Sequence, residues 1–255
     1  MFNTSRYVTT TKTSIYGTNS STSDSHVMKN MEWGAVAYLT NSIYGRYTST
    51  STCIESGCEV WINNINTGYG MGTAVSGQPQ WGPSITGCAG SSTSAGVSNS
   101  QTACASGYDW KTKGVNASTT GNQYGIYDMS GGAWEYVMGV QKDSSGNVQV
   151  ESSGFSKSSL PDSKYYDLYD YQAEDGVGYT RYHLGDATRE VLKNTSSQVG
   201  NAWWSDYSYN IYSSYPWVVR GGLYNSGSYA GVFSFYLDSG WGYTRGSFRS
   251  VLTAN

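Results

Sequence analysis

Residues 125–136 read GIYDMSGGAWEY. The run is dense in glycine, aromatic rings and acids, as is the wider stretch Thr120–Gly139. Downstream, Trp203–Ser250 holds 15 aromatic residues in 48 and only five charges. Glycine pairs and Ser-Gly steps punctuate that tail, so short strands are expected at Pro216–Arg220, Gly231–Tyr236 and Ser247–Leu252. Upstream, Met28–Ser42 (MKNMEWGAVAYLTNS) is the best helix, with Asn30 as its cap, an apolar face of Trp33, Val36, Ala37 and Leu39, and a weak point at Gly34. A short helix is expected at Asp186–Leu192 and a strand at Glu59–Asn63.

The rest of the chain is loop-like. Residues 1–27 read as a Ser/Thr-rich linker or tether, with an extended segment at Arg6–Thr10. Residues 45–110 are loops that hold Cys53, Cys58, Cys88 and Cys104, and the Gly/Ser tract 87–107 belongs on the surface. Residues 141–180 are a polar insertion with a tyrosine patch at Tyr165, Tyr166, Tyr169 and Tyr171. No fixed-period repeat is present, which argues against a solenoid or propeller. Residues 28–255 therefore form the domain.

Composition narrows the function classes. The chain has 255 residues, a net charge of −3, 13% charged and 15% aromatic residues. Its lysines and arginines form no basic run, so nucleic acid is not an expected partner. No apolar stretch approaches membrane-spanning length, and no secretory leader is read at the start, so membrane attachment would need a segment upstream. Only His26 and His183 could serve a histidine-based metal site or triad; Asp186 lies near His183, but no nucleophile motif accompanies them. The even cysteine count suits two local disulfides, Cys53–Cys58 and Cys88–Cys104, among three pairings, and hence an extracellular setting. Free thiols in a cytosolic protein remain the alternative.

Three segments carry a family resemblance. GIYDMSGGAWEY resembles a signature of the formylglycine-generating-enzyme and sulfatase-modifying-factor family. VVRGGLYN (218–225) with RGSFRSVL (245–252), and the helix bearing Glu32-Trp33 and Ala37-Tyr38, resemble further segments of it in the same order. NMEWGAVAYLTNSIYG, LGDATREV and RGGLYNSGSYAGVF also look like bacterial surface proteins with prepilin-type N-terminal segments. Their C-terminal region resembles the variable proteins of diversity-generating retroelements. The resemblance implies an α+β, C-type-lectin-like fold: a small twisted antiparallel sheet, two helices and much irregular loop. It also implies a non-enzymatic binding protein with a diversified region at about 203–250, displayed outside the cell, on a pilus or on a phage particle.

The residues support a binding surface on their own account. Tyr and Trp give contact area at little rotamer cost, while Ser, Gly and Asn add adaptable hydrogen bonds. Candidate ligand residues are Leu223, Tyr224, Asn225, Ser228, Tyr229, Ser234, Tyr236, Asp238, Ser239, Trp241, Tyr243 and Arg245. Trp217, Val219, Val232, Phe233, Phe235 and Phe248 are expected inside. Arg220 is expected to satisfy buried carbonyls, and Gly221 and Gly222 to provide backbone angles or close approach. The partner would be a protein or a glycan on another cell, a phage or a host surface. No cofactor is required. The resemblance does suggest a structural Ca²⁺ held by Asp128, the carbonyls of Gly131 and Ala133, and Glu135, hard oxygens at short spacing. The alternative is a structural cap or minor-pilin-like component without a diversified site. The copper-dependent oxidase reading lacks its thiolates, since the two aligned cysteine positions are Ser226 and Gly231.

Overall fold

The computed structural model describes residues 1–47, 59–63, 87, 109–174, 179–194, 198–223, 226–243 and 246–255. All four cysteines, and with them the expected disulfides, lie outside the described residues. So does nearly all of the Gly/Ser tract 87–107.

The fold is α+β. In chain order the elements are α1 (Phe2–Thr10), α2 (Thr13–Tyr16), β1 (Ser23–Val27), α3 (Asn30–Thr40), β2 (Trp134–Gln141), β3 (Asp167–Tyr169), β4 (Trp217–Gly221), β5 (Gly231–Asp238), β6 (Gly246–Phe248) and β7 (Ser250–Ala254). Among the described residues, no helix is long and apolar enough to cross a membrane.

Strand β2 organises the main sheet. Its partner on one side is β4, antiparallel, which in turn pairs antiparallel with β5. Its other side is shared by β6 at the N-terminal end and β3 at the C-terminal end, both parallel. The sheet is thus mixed, not purely antiparallel as expected. All eight residues of β2 are buried. Burial on both faces removes the alternation by which a strand is read, and no strand is expected there from sequence. The single strand expected over Ser247–Leu252 is two, β6 and β7. They part at Arg249, whose carbonyl accepts the Met28 N–H at 2.8 Å.

Helix α3 lies on one face of this sheet. Asn30 does not cap it: Lys29 holds the cap position, with its N–H bonded to Glu32 Oε2 at 2.8 Å. Asn30 is the first helical residue, and its amide donates to the Tyr169 hydroxyl at 2.7 Å. The orphan Met31 N–H is taken by Asp167 Oδ2 at 2.7 Å. Trp33 and Ala37 are fully buried as expected, whereas Leu39 is 54% exposed. Six residues beyond Trp33, Leu39 points about 240° around the helix and off the buried stripe. Gly34 is more than a weak point. A Cβ there would stand 2.3 Å from the Gly185 carbonyl and 2.5 Å from Asp186 Cα. The segment 185–186 rests directly on the helix, which offsets the roughly 1 kcal/mol that glycine costs inside it.

Residues 1–27 are not a tether. The segment expected to be extended at Arg6–Thr10 is helical, and β1 pairs antiparallel with β7 from Ser23↔Ala254 to Val27↔Ser250. Arg6 pairs with Asp24 and donates to the Ser25 carbonyl at 3.0 Å, and Thr9 bonds Ser25 through their hydroxyls at 2.9 Å. The Tyr165 ring takes Arg6 and Lys164, each 4.8 Å from its centroid. Phe2, edge-on to Phe155 at 5.9 Å and Tyr165 at 5.6 Å, and the buried Val27 anchor its two ends, while hydroxyls and ion pairs, which read as solvated in a sequence, seat the rest.

The remaining expectations fare unevenly. The helix expected at Asp186–Leu192 is a single 3₁₀ turn, Arg189–Val191. Of the strand expected at Glu59–Asn63, an isolated bridge from Asn63 to Gly131 is present.

Candidate functional site

The sheet has two unlike faces. Towards α3 it presents Val137, Val218, Phe233 and Phe235, packed with Trp33, Tyr169, Tyr179 and Tyr182. Arg220 joins this side with no exposure, its guanidinium 5.7 Å from the Trp33 ring and 5.8 Å from the Phe235 ring. It donates to the Ala187 carbonyl at 3.2 and 3.3 Å and to that of Asp186 at 3.4 Å, the role expected of it. Burial pulls its pKa down to about 10, and the carboxylate of Asp186 resists that fall. Asp186 itself accepts from the Tyr169 hydroxyl at 2.9 Å and the Thr188 N–H at 3.1 Å.

The opposite face carries Trp134, Tyr136, Met138, Trp217 and Val219, with Tyr236, Tyr207, Tyr243, Leu223 and Phe248 half-buried against them. The register sets Tyr136, Val219 and Tyr236 side by side across three strands. Tyr236 stacks on Trp134 at 5.2 Å and meets Tyr209 at 4.6 Å and Tyr207 at 5.7 Å. Tyr207 passes the contact on to Tyr229 at 5.0 Å. At the other end, the Tyr136 hydroxyl donates to Asp238 and lies 2.9 Å from the Trp241 carbonyl, while its ring meets Tyr243 at 6.2 Å. Burial and the Asp238 carboxylate both raise the Tyr136 pKa, which keeps this phenol a donor. The result is an aromatic strip in two groups of rings, joined across Val219.

The expected ligand residues fall on or beside this strip, with one correction. Leu223, Ser228, Tyr236, Asp238, Ser239 and Tyr243 are half-buried, and Tyr229 and Trp241 are exposed. Ser234 is fully buried, because the chain around Asp206 covers that point of β5; it is not a contact residue. Tyr224, Asn225 and Arg245 lie outside the described residues. The residues expected inside are buried, except that Phe248 is only partly so. Sequence reasoning missed Trp134, Tyr136, Tyr207 and Tyr209, which bind the strip together. The aromatic density of Trp203–Ser250 could have flagged the last two.

The loop from β4 to β5 is set by glycine. Gly222 has φ +82°, and a Cβ there would lie 2.6 Å from Ala230. Leu223 N–H then closes on Ser226 Oγ at 2.9 Å. The two positions aligned with copper-binding cysteines are thereby accounted for. Ser226 caps this loop, and at Gly231 any Cβ would stand 2.1 Å from an Asp206 carboxylate oxygen.

The four residues suggested for Ca²⁺ fit the ion poorly. Arg249 takes both carboxylate oxygens of Glu135, one through Nε at 2.9 Å. Asp128 accepts the Gly87 N–H on both oxygens, at 3.0 and 3.1 Å, and has φ +59°. Gly131 serves the sheet, its N–H bonded to the Gly221 carbonyl at 2.8 Å. A guanidinium already supplies the positive charge that a cation would bring.

No protein-family model and no curated protein matches this chain.

Proposed function

We propose that this chain is a non-enzymatic binding protein. Its aromatic face and the turns after β4 and β5 form the ligand site on a C-type-lectin-like scaffold. In this reading it is a variable protein of a diversity-generating retroelement, displayed outside the cell, and its ligand is a protein or a glycan. One observation carries the reading. Of the nine described candidate residues eight keep exposed surface, while their strand neighbours Val232, Phe233 and Phe235 are sealed in the core. A framework of that kind tolerates exchange of its outward side chains, because surface substitutions usually change stability by within about 0.5 kcal/mol.

The chemistry of the strip suits recognition and not turnover. Tyrosine and tryptophan rings offer wide apolar contact with a polar edge, and the serines between them adapt to a partner. The test is to sequence the same locus from several isolates, together with its flanking DNA. The expected result is substitutions concentrated at the named positions, with a nearby reverse transcriptase and a template repeat differing at adenines. Substitutions spread evenly over the chain would overturn the reading.

A further inference from the structure

A pocket of about 200 Å³ lies where the aromatic face meets the N-terminal segment. Phe2 and Val27 come from that segment, Tyr136 from β2, Trp217 from β4 and Phe155 from the loop between β2 and β3. Gly240 and Gly242, in the turn after β5, complete the wall. Gly242 is exposed and marks the mouth, and a Cβ there would meet nothing within 4 Å. The rings already stand as walls. Phe155 lies 29° from the plane of Trp217 with centroids 6.0 Å apart, and Phe2 is edge-on to Phe155 at 5.9 Å.

No lining side chain is charged, and the hydroxyls among them are already engaged. Ser153 Oγ donates to the Val150 carbonyl at 2.6 Å and accepts the Phe155 N–H at 3.2 Å. The Tyr136 hydroxyl donates to Asp238. The Trp217 indole N–H is shut off from solvent beside Gly240, where a Cβ would stand 2.8 Å away, so it faces no ligand. A hydroxyl or amide entering such a pocket loses its hydration with no bond in return. A sugar carries hydroxyls around its whole ring; a hydrocarbon ring carries none. The volume suits a single ring, since a dry apolar cavity of about 150 Å³ holds benzene. The pocket also adjoins the turn that bears Asp238, Trp241 and Tyr243, three of the candidate ligand residues. We infer that it receives one aromatic side chain of a protein ligand, as the anchor of that ligand on the aromatic face. Rings seated in ring-lined, desolvated pockets are the residues that dominate protein–protein contacts. The inference rests on the function proposed above for where the ligand lies, and of the two ligands named there it selects the protein over the glycan.

Magnetic-resonance titration of the whole isotope-labelled chain with N-acetylphenylalaninamide, N-acetylserinamide and methyl β-galactoside tests it, read on the Gly240 amide and the Trp217 indole. A saturable shift with the phenylalanine probe is expected, with the serine and galactoside probes at least tenfold weaker. Phe155→Ala removes the wall stacked on Trp217 and should weaken binding at least tenfold. Should that variant fail to fold, Gly242→Leu, which adds its side chain to open space at the mouth, should weaken it by a similar factor. No saturable shift overturns the inference, as does either polar probe binding as tightly, or unchanged affinity in the folded variants. Such a failure leaves the variable-site reading standing, whereas substitutions spread evenly over the locus would overturn that reading with the ring still bound.

Discussion

Phe235 and Tyr236 are neighbours in one strand and belong to two different surfaces. Phe235 is fully buried beneath α3, edge-on to Tyr179 and Tyr182 and facing the Arg220 guanidinium. Tyr236 faces the other way, half-exposed in the aromatic strip. The α3 face is closed by polar groups that all point inwards: Trp33 Nε1 to the Val232 carbonyl at 2.7 Å, Arg220 to Ala187, Tyr169 to Asp186. The inner rings of the strip are buried too, Trp134 at 6% and Tyr136 at 8% exposure, with Phe2, Val150, Phe155 and Leu160 packed against the same face. One face of the sheet is thus closed throughout, and the other keeps exposed surface at its rim, at Tyr229 and Trp241.

The contrast predicts unequal costs. Phe235→Ala removes a fully buried ring and should destabilise by about 3–5 kcal/mol in chemical denaturation. Tyr229→Ala and Trp241→Ala, on the exposed end of the strip, should each stay within about 0.5 kcal/mol. Comparable losses on the two sides would abolish the distinction.

Proton linkage comes next in size, and it too belongs to the buried side. Burial pushes the Glu59 carboxyl up to about 9, the neighbouring Asp206 carboxylate adds to the rise and Arg46 opposes it. Asp206, Asp186 and Asp167 are raised for the same first reason. A carboxyl raised in the folded state binds more protons than its unfolded counterpart, so its contribution is fully present below the unfolded value and is lost as pH rises. For Glu59 that window runs from about 4.5 to about 9. Thermal unfolding should therefore show greater stability at pH 5 than at pH 8, and Glu59→Gln should flatten the difference. Stability rising over that interval would contradict the assignment. The exposed Asp143, held down at about 2 mainly by Lys157, acts only at far lower pH.

How much of this was legible depended on what each element is made of. Helix α3 and strands β4 and β5 carry their apolar residues at regular spacing or in short runs bounded by glycine and proline, and they lie within a few residues of where the sequence places them. The N-terminal segment reads as a tether because most of its contacts are polar, Arg6–Asp24, Thr9–Ser25 and a tyrosine between two cations, and its apolar anchors, Phe2 and Val27, are isolated in the sequence. Strand β2 was missed because burial on both faces erases its alternation. At the site, period two separates Phe233 and Phe235 from Tyr236 and Asp238, but not Val232 and Ser234, which are buried as well. The link to Tyr207 and Tyr209 was not legible, because it depends on a loop folding back over the strand from 29 residues earlier, where Tyr207 N–H meets the Tyr229 carbonyl and Phe235 N–H the Tyr207 carbonyl, both at 3.0 Å.

The smallest effect expected is the response of the unaltered protein to calcium, at the border of the two faces. Glu135 follows Trp134 in β2, is 6% exposed, and is held by Arg249, which only partly offsets the rise that burial imposes on its pKa. Calcium added to protein stripped with EDTA should leave the melting temperature unchanged, because the ion would have to displace a bidentate guanidinium. Arg249→Gln sharpens the point. It strands a buried carboxylate and should cost about 3–5 kcal/mol. In that variant alone the carboxylate needs a counter-charge, and calcium should recover part of the loss. A calcium-dependent rise in the unaltered protein would show instead that Arg249 yields to a metal, and the polar border between core and binding face would then be metal-built.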